Sequence, residues 1–92
     1  MEFEWDNNKA VSNQIKHDIS FEEAKTVFTN PLAVIFDDED NSDEEKREII
    51  IGHSQTNRLL LVIFTERSTA IRIISARKAT RTERKDYEEN AF

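Results

Sequence analysis

With 92 residues, 37% of them hydrophobic and 35% charged, the chain can build one modest core and must leave most of the remainder in solvent. It contains no cysteine and only two histidines, far apart in sequence. A disulfide framework and a thiolate nucleophile are thereby excluded, and a zinc site would have to rely on carboxylates. The net charge of −6 conceals an asymmetry: Arg58 to Lys85 holds eight basic and two acidic residues, whereas residues 1–57 hold five and fourteen. Phosphate recognition is a local electrostatic property, so the basic last third outweighs the acidic total as a guide to function.

The N-terminal Glu2-Phe3-Glu4-Trp5 alternates as an edge strand, with Phe3 and Trp5 on one face. Asp6 or Asn7 can cap a helix running to about Lys16, with Ala10, Val11 and Ile15 as its apolar stripe. Ser20-Phe21-Glu22-Glu23 has the form of a capping box and opens a second helix, which buries Phe21, Ala24, Val27 and Phe28 and stops at Asn30-Pro31. Leu32 to Phe36 suits a short strand. Asp37 to Glu45 is an acidic loop whose charges repel and which nothing can bury.

Glu48 to Ser54 predicts the next strand, and Gln55-Thr56-Asn57 the turn, with Asn57 able to adopt the left-handed conformation. Leu59 to Thr65 is apolar almost throughout and predicts a central strand covered on both faces. Glu66 to Thr69 is a second tight turn, Ala70 to Ala76 a third long strand, and Thr80-Arg81-Thr82-Glu83 a capping box for a last helix that includes Tyr87. The expected class is α+β: a short N-terminal strand, two helices, an antiparallel meander of three to four strands and a C-terminal helix, all in one domain spanning 1–92. The longest apolar run, Leu59 to Phe64, is far short of the ~20 residues that cross a bilayer. The N-terminus has acids and a tryptophan in place of a secretory signal, so a cytoplasmic, membrane-free protein is expected.

Phe3-Glu4-Trp5-Asp6 with Lys9 and Asn13, Lys16-His17, Ser20 to Ala24, Asn30-Pro31, Ile51-Gly52, Thr65-Glu66-Arg67, and Arg72 to Arg77 with Glu83, Arg84 and Tyr87 resemble the BrnT family. That family comprises the toxins of the type II BrnT/BrnA toxin–antitoxin systems. The resemblance runs from about residue 2 to Tyr87, and its most specific part is Arg-Ile-Ile-Ser-Ala-Arg between a Thr-Glu-Arg turn and a Glu-Arg-x-x-Tyr helix. It implies a RelE-like two-layer fold, RNA cleavage that arrests translation, and a BrnA-like antitoxin of ribbon-helix-helix type. It further implies contact with DNA only through the antitoxin, and a multimeric toxin–antitoxin complex. Two departures stand out: Asp18 follows Lys16-His17 where the family usually has glycine, and Asn30 precedes the proline where aspartate is usual.

Metal-free RNA cleavage needs a base for the 2′-hydroxyl, positive charge on the phosphorane and an acid for the leaving 5′-oxygen. No cofactor or metal is called for. Guanidinium suits the second task, since its rigid fork binds two phosphate oxygens and stays charged. Arg67, Arg72, Arg77 and Arg81 are the candidates, with Arg84 as a further RNA contact; the competing reading of each is a solubilising or ion-paired side chain. On an ideal strand Arg72 and Arg77 face opposite sides. They share a site only if the strand bulges or ends near Ser75-Ala76; otherwise one of them holds an acid such as Glu66 or Glu83.

His17 is the natural proton carrier, because imidazole exchanges protons near neutrality, although a histidine at a helix C-terminus also interacts with the helix dipole. Lys16 beside it can bind phosphate. Glu66 is either a base or an arginine's partner, and Tyr87 either stacks on a base, gives a proton or packs under the sheet. A non-catalytic RNA-binding or protein-interaction module, a degenerate toxin, is the alternative to a ribonuclease. The acidic Asp37–Glu48 region is read as a solvated loop, with a surface for a basic part of the antitoxin as the competing reading.

Overall fold

The structure, a computed structural model, describes residues 1–41 and 45–90. In chain order its elements are β1 (Glu2–Glu4), α1 (Asn7–His17), α2 (Phe21–Thr26) with a 3₁₀ turn at Val27–Thr29, β2 (Val34–Asp37), β3 (Glu48–His53), β4 (Leu59–Arg67), β5 (Ala70–Lys78) and α3 (Arg81–Glu88), with a further 3₁₀ turn at Glu39–Asn41. The strands form one sheet in the order β1-β5-β4-β3-β2. From β2 to β5 neighbouring strands are antiparallel. β1 adds parallel to β5, and its three residues cover only Ala70 to Arg72, so the rest of that edge of β5 has no strand beside it among the described residues. The α+β class stands, as a mixed sheet with three helices.

Local chemistry accounts for the helix ends. The Asp6 carboxylate accepts from Asn8 and Lys9 N–H (2.8 and 3.2 Å) and starts α1. α1 ends at Asp18, whose φ of 57° is left-handed. That is a glycine position by preference, which explains the glycine usual there in the family that the sequence resembles. Asp18 holds it with a carboxylate that accepts from Gln14 Nε2 (3.3 Å). Ser20 caps α2 through Glu23 N–H (3.0 Å), but Glu23 does not complete the expected box, because its carboxylate is turned inward to Arg58, Ser54 and Thr56. The box at Thr80 and Glu83 is complete. Asn57 does take the left-handed conformation, with φ 62°.

The apolar stripe expected on α1 is corrected. Ala10 is half-buried, but Val11 and Ile15 are exposed, and the residue that α1 buries is Asn13. Asn13 donates to Ile19 C=O (2.9 Å) and accepts from Ala76 N–H (3.0 Å), tying the helix to the uncovered stretch of β5. This bond fixes the helix rotation and turns Val11 and Ile15 away from the sheet. α2 behaves as expected: Phe21, Ala24 and Val27 join Val62, Phe64 and Ile73 in the core between helices and sheet. Phe28 stacks edge-on between Phe3 and Phe64, with centroids 5.1 and 5.0 Å apart.

On the opposite face Ile51, Leu59 and Leu61 are buried, so β4 is central and covered on both sides. α3 lies on that face, linked through Glu83 to Arg77 and through Tyr87 to His53. The turn expected at Glu66–Thr69 is shorter: Glu66 and Arg67 belong to β4, and only Ser68 and Thr69 turn, with Ser68 at φ 54°. Part of the acidic segment is also more ordered than its charge predicts. Asp38 is buried, and its N–H donates to Arg47 C=O (2.9 Å). Residues 42–44 of that segment lie outside the described residues.

Candidate active site

The register of β4 against β5 decides where the arginines point. Ile63 pairs with Ser75 and Phe64 with Ile73, so Ile74 is an extra residue, a β-bulge in β5. Ile73 and Ala76 both enter the core, as an alternating strand would not permit. The side chains on the far side of the sheet from α1 and α2 are therefore Arg72, Ser75 and Arg77. The two arginines share one face, roughly 13 Å apart along the strand at about 3.3 Å per paired residue. Arg67, paired with Ala70 two residues before Arg72, extends the same row.

Each of these arginines holds a glutamate. Arg72 Nη1 donates to Glu4 on β1 (2.8 Å). Arg77 forms a fork with Glu83 of α3 (2.7 and 2.9 Å), and Arg67 another with Glu45 (2.8 Å for both bonds). The Arg77 fork, against the opposing effect of burial, holds the Glu83 carboxyl at about 2, and the capping bonds of Thr80 add to it. Its partner Arg77 is raised by the same bond, as Arg67 is by Glu45. Glu66 pairs with none of them among the described residues, which corrects that expectation, whereas Glu83, the other acid expected to hold an arginine, does so, and Glu45 and Glu4 take Arg67 and Arg72. Glu66 lies opposite Ile71 on the helix side of the sheet.

At the edge of the sheet beside the bulge a cavity of about 160 Å³ opens between α1 and β5, lined by Lys9, Ser12, Asn13, Lys16, His17, Ile74 and Ser75. His17 and Lys16, in the last turn of α1, thus meet β5 at Ile74 and Ser75, where no strand covers it. Among the described residues Lys9, Lys16 and His17 form no ion pair, which leaves this the unneutralised cationic side of the edge. Lys9 and Ser12 escaped sequence reading as site residues. Their spacing to Lys16, three and then four residues, was the available signal for one helix face. Ser75 escaped because its orientation depends on the bulge.

The other candidates lie apart. Tyr87 donates its hydroxyl to Leu32 C=O (2.9 Å), and its ring meets His53 edge-on at 5.8 Å, beside β2 at the opposite edge of the sheet from β1. The phenol is thus packed and hydrogen-bonded, away from the bulge. Arg81 and Arg84 are exposed on α3 with no ion pair among the described residues. Sequence reading also passed over Arg58, which donates to both carboxylate oxygens of buried Glu23 and to Asp18 C=O (3.0 Å). That pair clamps α2 to the turn between β3 and β4, and the Arg58 bonds hold Glu23 at about 2 despite the cost of burial.

Residues 5–83 match the family model described as the ribonuclease toxin, BrnT, of type II toxin–antitoxin systems. The chain belongs to the BrnT family. Among solved structures it is similar to the 1.1 Å crystal structure of the Brucella abortus ribonuclease toxin BrnT, with 25% identity, a TM-score of 0.68, and coverage of 88% of this chain and 99% of that one. No curated protein matches the chain. That family is one of ribonuclease toxins, and its type II toxin–antitoxin systems imply an antitoxin partner. Asn30, where the BrnT resemblance has aspartate, performs an aspartate's turn bond by accepting from Leu32 N–H (2.8 Å), and its amide donates in addition to His53 C=O (3.1 Å).

Proposed function

We propose that the chain is a metal-independent endoribonuclease, acting as one RelE-like toxin domain over residues 1–92, that cleaves RNA at the bulged edge of β5. The observation that carries the reading is the bulge at Ile74, which sets Arg72 and Arg77 on one face and lies beside the cavity where α1 brings His17 to the edge of β5 from the other side. The 2′-oxygen attacks its neighbouring phosphorus, the O2′–P bond forms, and the P–O5′ bond breaks, leaving a cyclic phosphate. His17 carries a proton in this exchange, from the 2′-hydroxyl or to the departing 5′-oxygen. Arg72 and Arg77 stabilise the charge that builds on the phosphorane, with Arg67 on the neighbouring nucleotide. Lys16, Arg81 and Arg84 hold the backbone, Glu83 holds Arg77 until RNA displaces it, and Glu66 and Tyr87 have supporting places outside the bulge.

Each arginine exchanges its carboxylate for a phosphate as RNA enters. The activity arrests translation in the cytoplasm and is neutralised by a BrnA-like antitoxin of ribbon-helix-helix type, in a multimeric complex that touches DNA through the antitoxin alone. Two experiments test this reading. Purified toxin in EDTA should cut single-stranded RNA and leave 2′,3′-cyclic phosphate ends. Its expression should arrest growth, with relief on co-expression of the neighbouring antitoxin gene; cleavage that required added divalent metal would contradict the mechanism.

One observation favours a second reading, a non-catalytic module. Arg67, Arg72 and Arg77 are all neutralised by glutamates, as in a scaffold of structural ion pairs. That reading predicts neither cleavage nor growth arrest.

A further inference from the structure

Val11 and Ile15, four residues apart on α1, are 61% and 80% exposed. With Trp5, Ala10 and Phe21 they line a groove of about 310 Å³ between α1 and the start of α2. Its floor is rigid, because Trp5 and Phe21 meet edge-on at 5.8 Å. Among the described residues no Lys or Arg lines it. Its polar border is Gln14, Ser20 and Glu22, and Gln14 donates in turn to the exposed carboxylate of Asp18 at the helix end, on the side where Arg58 reaches the Asp18 carbonyl.

An apolar floor with an acidic rim repels the phosphates of RNA. It also disfavours a second copy of a chain whose net charge is −6. What complements it is a protein segment that inserts aliphatic or aromatic side chains and brings Lys or Arg to Asp18 and Glu22. We propose that this groove seats the antitoxin through such a basic, apolar segment. The inference rests on the antitoxin partnership of the family and adds its docking surface. α1 carries the groove on one side and Lys9, Lys16 and His17 on the other, so an occupant sits within about one helix diameter, roughly 10 Å, of the cavity at the bulge. A bulky partner anchored there closes the approach to His17 without having to bind the arginines.

The test measures binding of the purified product of the neighbouring antitoxin gene to the toxin, alongside cleavage of a single-stranded RNA by the toxin alone. Val11→Asp/Ile15→Glu should weaken antitoxin binding at least tenfold while RNA cleavage stays at the wild-type rate. Both side chains are exposed, so circular dichroism and Tm should not change. Glu22→Lys/Asp18→Asn should weaken binding several-fold and flatten its salt dependence, and Ile35→Glu, at the β2 edge, should do neither. Wild-type affinity in Val11→Asp/Ile15→Glu overturns the proposal. So does a wild-type toxin that dimerises through the groove, with a monomeric variant that still binds antitoxin normally. A wild-type toxin that binds antitoxin but cuts no RNA would sink the ribonuclease mechanism and leave the binding comparison intact.

Discussion

Glu23 shows how one residue can serve two elements. Its carboxylate is buried and accepts from Arg58, Ser54 and Thr56. Removing one partner of such a pair strands the other, so Arg58→Ala should cost about 3 kcal/mol in urea unfolding. The pH dependence follows from the depressed carboxyl, held at about 2 against an ordinary value of 4.5. The stabilisation is complete above about pH 4.5 and falls away as the pH drops through about 2. Arg58→Ala should therefore lose less stability on acidification than the wild type over that window. Gly52 is a second constrained position. A Cβ there would stand 2.8 Å from Ala33 Cβ and 3.3 Å from Val27 Cγ1, so Gly52→Ala should destabilise the fold by about 1–3 kcal/mol through overpacking. A Gly52→Ala protein with unchanged Tm would show that the backbone at Ala33, just before β2, yields freely.

At the scale of elements, the bulge in β5 organises the candidate site and the glutamates tune it. Glu83 both caps α3 and holds Arg77. Glutamine can keep the cap but not the charge, so Glu83→Gln should free Arg77 and lower the KM for RNA several-fold, with a small loss of Tm. A KM raised by this change would mean that Glu83 positions Arg77 more than it competes for it. The elements themselves were largely legible: Asp6, Ser20 and Thr80 mark helix starts, and the unbroken run Leu59 to Phe64 marks the central strand. The bulge was not. It has no glycine or other local marker, and only the pairing of Ile63 with Ser75 and Phe64 with Ile73 reveals it. Sequence alone could state that Arg72 and Arg77 share a site only if the strand bulges near Ser75, and the pairing supplies that bulge and puts them on one face. The face of α1 misled for a related reason. Val11 and Ile15 read as a buried stripe, but Asn13 bonds the edge of β5 and turns the helix the other way.

For the whole molecule, the proposed function requires a protein of net charge −6 to meet RNA through one edge where cations are gathered, so that its own repulsion is outweighed locally. Affinity for single-stranded RNA should fall with salt, and each phosphate-binding arginine removed should lower the log–log slope by about 0.7. In the two proposals the sides of α1 divide the work, RNA on the lysine side and the antitoxin on the apolar side. The central claim is that the bulge unites Arg72, Arg77 and His17 in one catalytic edge. Its most direct test is the cleavage rate of a single-stranded RNA by purified Arg72→Ala, Arg77→Ala and His17→Ala toxins of unchanged Tm, in EDTA. Each should fall about 10²-fold or more below the wild type. Either arginine variant cutting at the wild-type rate would contradict the account.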